Sequence, residues 1–129
     1  MESVATRAMW IDGEPAEAAD GRWMEVENPA TEEVCGRVPR GQAADVARAV
    51  LAAQRAQRHW RQVPGLDKAK FLHHIAARLR AQHVELAAIM TCEGGKPMIE
   101  NLDEVEWTAA CFDYYAEIGR HARGSTIPP

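Results

Sequence analysis

Long apolar runs are missing from this chain. The longest hold only a few residues, as at 49–53, against the roughly 20 that a helix needs to cross a bilayer. The first residues include Glu2 and Arg7 and form no apolar signal core. An excess of positive charge is missing too. There are 15 Lys and Arg against 19 Asp and Glu, a net charge of −4, so the basic footprint of a nucleic-acid binder is absent. Cysteine is scarce. Cys35, Cys92 and Cys111 are odd in number, far apart and form no Cys-x-x-Cys pair, which encodes neither a zinc knuckle nor a dithiol redox motif. Buried or half-buried thiols are expected instead. These absences together predict a cytoplasmic protein with no membrane and no nucleic-acid partner.

What is present is ordinary globular composition. Of 129 residues, 47% are hydrophobic and 26% charged, enough for one small domain with a core. Disordered chains, collagens and coiled-coil rods are excluded.

The character of the chain changes near Gly41. Residues 1–41 carry short alternating stretches with tight-turn dipeptides at Asp12-Gly13 and Asp20-Gly21. Asn28-Pro29 closes one extended run, because the residue before proline is pushed out of the helical region. Two or three short strands in a meander or hairpin are predicted over 8–38. Residues 42–129 are helical in pattern. Four helices are predicted, at about 43–61, 66–80, 83–93 and 98–122. Their apolar rows are Val46, Val50, Ala53 and Trp60 in the first, and Ala69, Leu72, Ile75, Ala76 and Leu79 in the second. The third has Leu86, Ala87 and Met90, and the fourth runs from Ile99 through Val105, Ala109 and Phe112 to Gly119. Gly94-Gly95 stops the third helix and Pro97 opens the fourth. A strand meander plus four helices ending on Pro128-Pro129 has no obvious central sheet, so part of a larger, incomplete domain is expected.

Chemical constellations are few. Gly94-Gly95-Lys96 lacks the spacing and the preceding strand of a phosphate loop and reads as a helix cap. His73-His74 are adjacent on a helix and do not share a ligand face, and no His-Glu-x-x-His occurs, so no metal site is expected. The acidic residues Glu100, Asp103, Glu104 and Glu106 complement the helix dipole. Asp103, Trp107 and Cys111 form a second row on the fourth helix at i, i+4 and i+8, either another packing surface or the lining of a ligand channel. No nucleophile with a base, and no glycine-rich dinucleotide loop, is recognisable.

Taken in order, several landmarks resemble the N-terminal portion of the NAD(P)-dependent aldehyde dehydrogenase superfamily. They are Trp10-Ile11-Asp12-Gly13-Glu14, Asn28-Pro29-Ala30-Thr31-Glu32-Glu33-Val34, and Asp45-Val46 through Ala49-Val50 to Trp60. Glu93-Gly94-Gly95-Lys96-Pro97 and Phe112-Asp113-Tyr114-Tyr115-Ala116 follow. Gly94 departs from the family's usual threonine, a change expected to be tolerated, and Gln42 stands where a capping Ser or Thr is common.

The resemblance implies an α/β fold, Rossmann-like in the full protein, with NAD or NADP as cofactor and a dimer or tetramer as the assembly. It implies oxidation of an aldehyde to a carboxylic acid through a cysteine thiohemiacetal. The family's catalytic cysteine and glutamate and its cofactor-binding residues are expected beyond Pro129, so this chain is expected to be a truncated segment, inactive alone, with none of its three cysteines the nucleophile. The helix bearing Tyr114-Tyr115 borders the substrate entrance in the family. That match places Trp107, with Asp103 or Glu104 one turn earlier, as candidates near the tunnel mouth, suited to cationic aldehydes by charge and cation–π attraction. The alternative weighed is a non-catalytic interaction protein that associates with full-length dehydrogenase subunits.

Overall fold

The computed structural model describes residues 5–121 and residue 127. They fall into two compact units. One holds the chain up to Gln62 together with Cys92–Gly95; the other holds Val63–Thr91 and the chain from Lys96 onward.

The first unit contains β1 (Ala5–Thr6), β2 (Met9–Ile11), β3 (Glu14–Ala16), β4 (Trp23–Asn28), β5 (Glu33–Pro39) and α1 (Ala43–Trp60). Four short strands thus stand where two or three were expected, and β1 precedes them. β2 and β3 pair antiparallel, Met9 with Ala16 and Ile11 with Glu14. Asp12 and Gly13 join them with φ of 60° and 80°, the primed turn that matches strand twist. Asp20-Gly21 makes no hairpin. The Gly21 N–H bonds the Ala18 carbonyl at 2.8 Å and turns the chain into β4. β5 is central in the second sheet, parallel to β1 and antiparallel to β4. β4 ends at Asn28 as expected, and the Asn28 Oδ1 accepts the Ala30 N–H at 2.9 Å, an Asx turn around the proline.

The start of α1 is organised by Asp45, whose side chain is 3% exposed. Its carboxylate accepts the Gln42 N–H at 2.9 Å and the Ala19 N–H at 3.1 Å. These two backbone donors, Gln42 first, hold the Asp45 carboxyl below its ordinary value. The Gln42 carboxamide, which forms a capping box with Asp45, also donates to the Arg40 carbonyl at 2.8 Å. The expected apolar row of α1 is corrected here. Val46, Val50, Ala53 and Trp60 are all exposed, and the inward residues are Asp45, Ala49 and Ala52. The small side chains admit the β2–β3 hairpin, and Arg55 fastens it by an ion pair to Asp12 at 2.8 Å.

The second unit contains α2 (Gly65–Ala81), α3 (His83–Gly94) as far as Thr91, and α4 (Met98–His121). Its buried apolar residues are Ala69, Ala76, Ala87, Val105, Ala109 and Ala116, nearly all alanine, which allows close helix approach. A Cβ placed on Gly65 would lie 2.8 Å from the Gly119 carbonyl oxygen. The α4 row holds at Val105, Ala109 and Ala116, with Leu102 and Phe112 half-buried. Ile99 is a correction, at 67% exposed. Asn101 lies inside instead, at 1% exposed, because its amide donates to the Thr91 hydroxyl at 2.8 Å and the Lys96 carbonyl at 3.1 Å. In α2, Ile75 is exposed while Ala69 and Ala76 are buried. The expected end of α4 at Ala122 and the stops at Gly124 and Pro128-Pro129 lie outside the described residues. Short strands followed by four helices make the described residues mixed α/β, as expected.

Candidate functional site

The candidate residues Asp103, Glu104 and Trp107 all sit on α4, which begins after Pro97 where a proline suits the first turn. The structure divides them. Glu104 is half-buried and tightly paired with the Lys96 ammonium, which also lies 3.7 Å from Glu100. Glu104, then Glu100, holds the lysine charged above its ordinary value. The Glu104 charge is therefore neutralised locally. Asp103 is exposed and has no ion pair among the described residues. Trp107, one turn later, is 69% exposed. Cys111 continues the same exposed row, and Tyr114 stands next to it in the helical wheel. The rings of Tyr114 and Tyr115 meet edge to face, with centroids 5.4 Å apart. Asp103 and Trp107 are thus both exposed, one turn apart on α4, while Glu104 is paired with Lys96.

A polar cluster that the sequence did not announce joins α2 to α4. The His73 Nδ1 lies 2.7 Å from Asp113 and its Nε2 2.9 Å from Glu117. Arg80 grips Glu106 with its Nε at 2.9 and 3.1 Å and Asp113 with an Nη at 2.7 Å. Hydrogen bonds to Asp113 and then Glu117 push the His73 pKa above 6.5. The available signal was opposite-sign rows, His73 and Arg80 two turns apart on α2, against Glu106, Asp113 and Glu117 on α4. His74 is exposed.

The cysteines differ from one another. Cys111 is exposed, while Cys35 and Cys92 are half-buried. Burial, reinforced by the Cys92 side chain, pushes the Cys35 thiol up, the opposite of an activated nucleophile. Cys35 and Cys92 lie together although 57 residues apart, a juxtaposition that sequence spacing did not reveal.

Two grooves of the first unit hold arginines. A groove of about 570 Å³ is lined by Thr6, Trp23, Glu25 and Arg37, but Arg37 is engaged by Glu25 at 2.7 Å. A second groove, of about 320 Å³, carries Arg48 and Arg55, which are held by Asp45 and Asp12. Neither offers a free cation to a pyrophosphate. The positive-φ glycines Gly13, Gly21 and Gly95 sit in separate turns and not in one phosphate-cradling loop.

Comparison with known proteins gives the frame for these residues. The aldehyde dehydrogenase family model matches residues 16–129. Aminoaldehyde dehydrogenase 2 of Zea mays is 38% identical over 99% of this chain and 26% of its own length. Lactaldehyde dehydrogenase of Escherichia coli is 42% identical over 92% of this chain and 25% of its own. The crystal structure of that enzyme superposes with a TM-score of 0.93 over 98% of this chain and 27% of the other. An NAD-dependent aldehyde dehydrogenase from Sinorhizobium meliloti gives 0.91 at 30% identity, over 94% of this chain and 25% of that one. The chain therefore spans about a quarter of the length of these relatives. With its strand meander, its four helices and its landmarks in order, it belongs to the aldehyde dehydrogenase family, as an N-terminal portion.

Proposed function

We propose that residues 1–129 are the N-terminal part of a longer dehydrogenase domain, incomplete and inactive alone, that oxidises an aldehyde to a carboxylic acid with NAD or NADP. The observation that carries this is 38–42% identity across nearly the whole chain to enzymes about four times its length. The nucleophile, the catalytic glutamate and the cofactor site then belong to residues outside this stretch. A homo-oligomer and a cytoplasmic location complete the reading; three free thiols agree with a reducing compartment.

Within that enzyme, Asp103 and Trp107 border the substrate entrance and favour cationic aldehydes. An exposed carboxylate one turn from an exposed indole attracts an ammonium group by charge and by the ring face, with about 0.5–1 kcal/mol from the ring at an exposed site. The name of the maize relative fits this choice, and that of the bacterial one marks the neutral alternative. In the full-length enzyme, Trp107→Ala is expected to raise KM for an amino aldehyde several-fold more than for a neutral hydroxyaldehyde. Equal effects on both overturn the assignment. NADH formation by residues 1–129 alone overturns the placement of the catalytic groups elsewhere.

A further inference from the structure

Three features of the first unit converge on one spot. In the β4–β5 ladder, Val26 pairs with Gly36 and Glu27 with Val34. Cys35 is therefore the extra residue of a β-bulge, the device by which a strand re-aims a side chain. The Cys35 Sγ donates to the Val26 carbonyl at 3.3 Å and lies 4.0 Å from the Cys92 carbonyl oxygen, in the last turn of α3. Asn28 supplies the third feature. Its Oδ1 is fixed by the Ala30 N–H, which leaves its Nδ2 to donate to the Cys92 Sγ at 3.8 Å. The turn is seated there by Gly95, whose Cα faces the Pro29 ring so closely that a Cβ would come within 2.7 Å of it.

We propose that the Cys35–Cys92 pair is a disulfide-forming site, assembled by the bulge, that is oxidised by small disulfides such as oxidised glutathione. Both thiols are half-buried and free, so a small oxidant reaches them. Cys92 attacks first, because its Sγ only accepts from the Asn28 amide, whereas the Cys35 Sγ is engaged as a donor to the Val26 carbonyl. The Cys92 Sγ bonds to one glutathione sulfur and the other leaves as a thiolate. Cys35 follows as the resolving thiol. Its thiol is pushed up by burial and then by the Cys92 side chain. Cys35 then gives its proton to solvent and attacks the Cys92 sulfur, and the second glutathione thiolate leaves. Two protein thiols have lost two electrons and two protons, and one oxidised glutathione has become two reduced molecules.

Cys111 provides an internal control, since it is exposed on α4. The test treats the purified protein under native conditions with excess oxidised glutathione and blocks the remaining thiols with N-ethylmaleimide. Non-reducing digestion after glutamate follows. Glu33, Glu85, Glu93 and Glu106 place the three cysteines on separate peptides. The expected product is a Cys35–Cys92 peptide pair lighter by two hydrogen atoms, with Cys111 free or carrying glutathione. In Cys35→Ser, the Cys92–glutathione adduct should grow from a trace to the main species. Glutathione retained on Cys92 of the unaltered protein, or a link from either cysteine to Cys111 in comparable yield, overturns the proposal. The peptide map of the unaltered protein decides by itself if the serine variant does not fold.

Discussion

At Gly94 and Gly95, adjacent residues of one type do different work. Gly94 is the last residue of α3 and has nothing within 4 Å of where a Cβ would stand. Gly95 has φ of +70°, and a Cβ there would strike Pro29. A threonine at position 94, the family's usual residue, therefore fits. Gly94→Thr is expected to fold with a stability within about 0.5 kcal/mol of the unaltered chain, glycine being the weaker helix former. Gly95→Thr is expected to cost about 1–3 kcal/mol, from left-handed strain on a β-branched residue and from the collision. Urea midpoints of the two variants check this directly, and equal midpoints contradict it. The same reading explains why Gln42 suffices before α1. Gln42 and Asp45 form the two halves of a capping box, each side chain accepting from the other's backbone N–H, so glutamine serves where Ser or Thr is common.

Between elements, the α2–α4 contact combines small residues with charge. Alanines and the Gly65–Gly119 approach bring the backbones close, and the His73 ring then bridges two carboxylates of α4. Only the imidazolium donates to both; neutral histidine keeps one donor and turns a lone pair toward the other carboxylate. Arg80 faces Asp113 and Glu106, and Arg120 faces Glu117. The folded pKa of His73 lies above the unfolded value of 6.5, so its contribution is complete below 6.5 and is lost as pH rises through the raised folded value. Asp113 and Glu117 are depressed below 3.8 and 4.5, chiefly by His73. Their contributions are present above those values and are lost as pH falls through the depressed ones. The clamp is therefore strongest between the carboxylate and histidine ranges. Denaturant midpoints measured across pH should fall above 6.5 for the unaltered chain and stay flatter there for His73→Asn. Parallel pH profiles would show that the bridge contributes nothing.

On the scale of the whole molecule, large aromatic side chains lie open. Trp107, Tyr114 and Tyr115 on α4 are each more than 60% exposed, as is Trp10 on the β2–β3 hairpin. Large exposed aromatics gathered on one helix, as on α4, are the kind of surface that marks an interface. Residues 1–129 alone should bind a hydrophobic dye under native conditions. Trp107→Ser combined with Tyr114→Ser should reduce that fluorescence by about half or more, in proportion to the aromatic area removed. A dye signal unchanged by the double substitution would place the sticky surface elsewhere. No described helix is long and apolar enough to cross a membrane, so the open aromatics are not explained by a membrane span.

Much of this was written in the sequence because it depends on local physics. Pro97, Gly95, Asp12-Gly13 and Asn28-Pro29 set element ends through backbone sterics alone, and alanine-rich periodicity set the four helices. The order of short landmarks also carried the family. Only the tertiary structure decided which faces were covered. Val46, Val50 and Ile99 were expected inside and lie outside, because a buried Asp45 and a buried Asn101 bind backbone groups and take the inward places. Periodicity reports that a helix has two faces, but hydrogen bonding to distant backbone chooses between them. Register across elements likewise decided the polar meetings. It set His73 between Asp113 and Glu117, and Cys35 beside Cys92. Each of those meetings joins residues that sequence distance keeps apart and that only packing brings within bonding range.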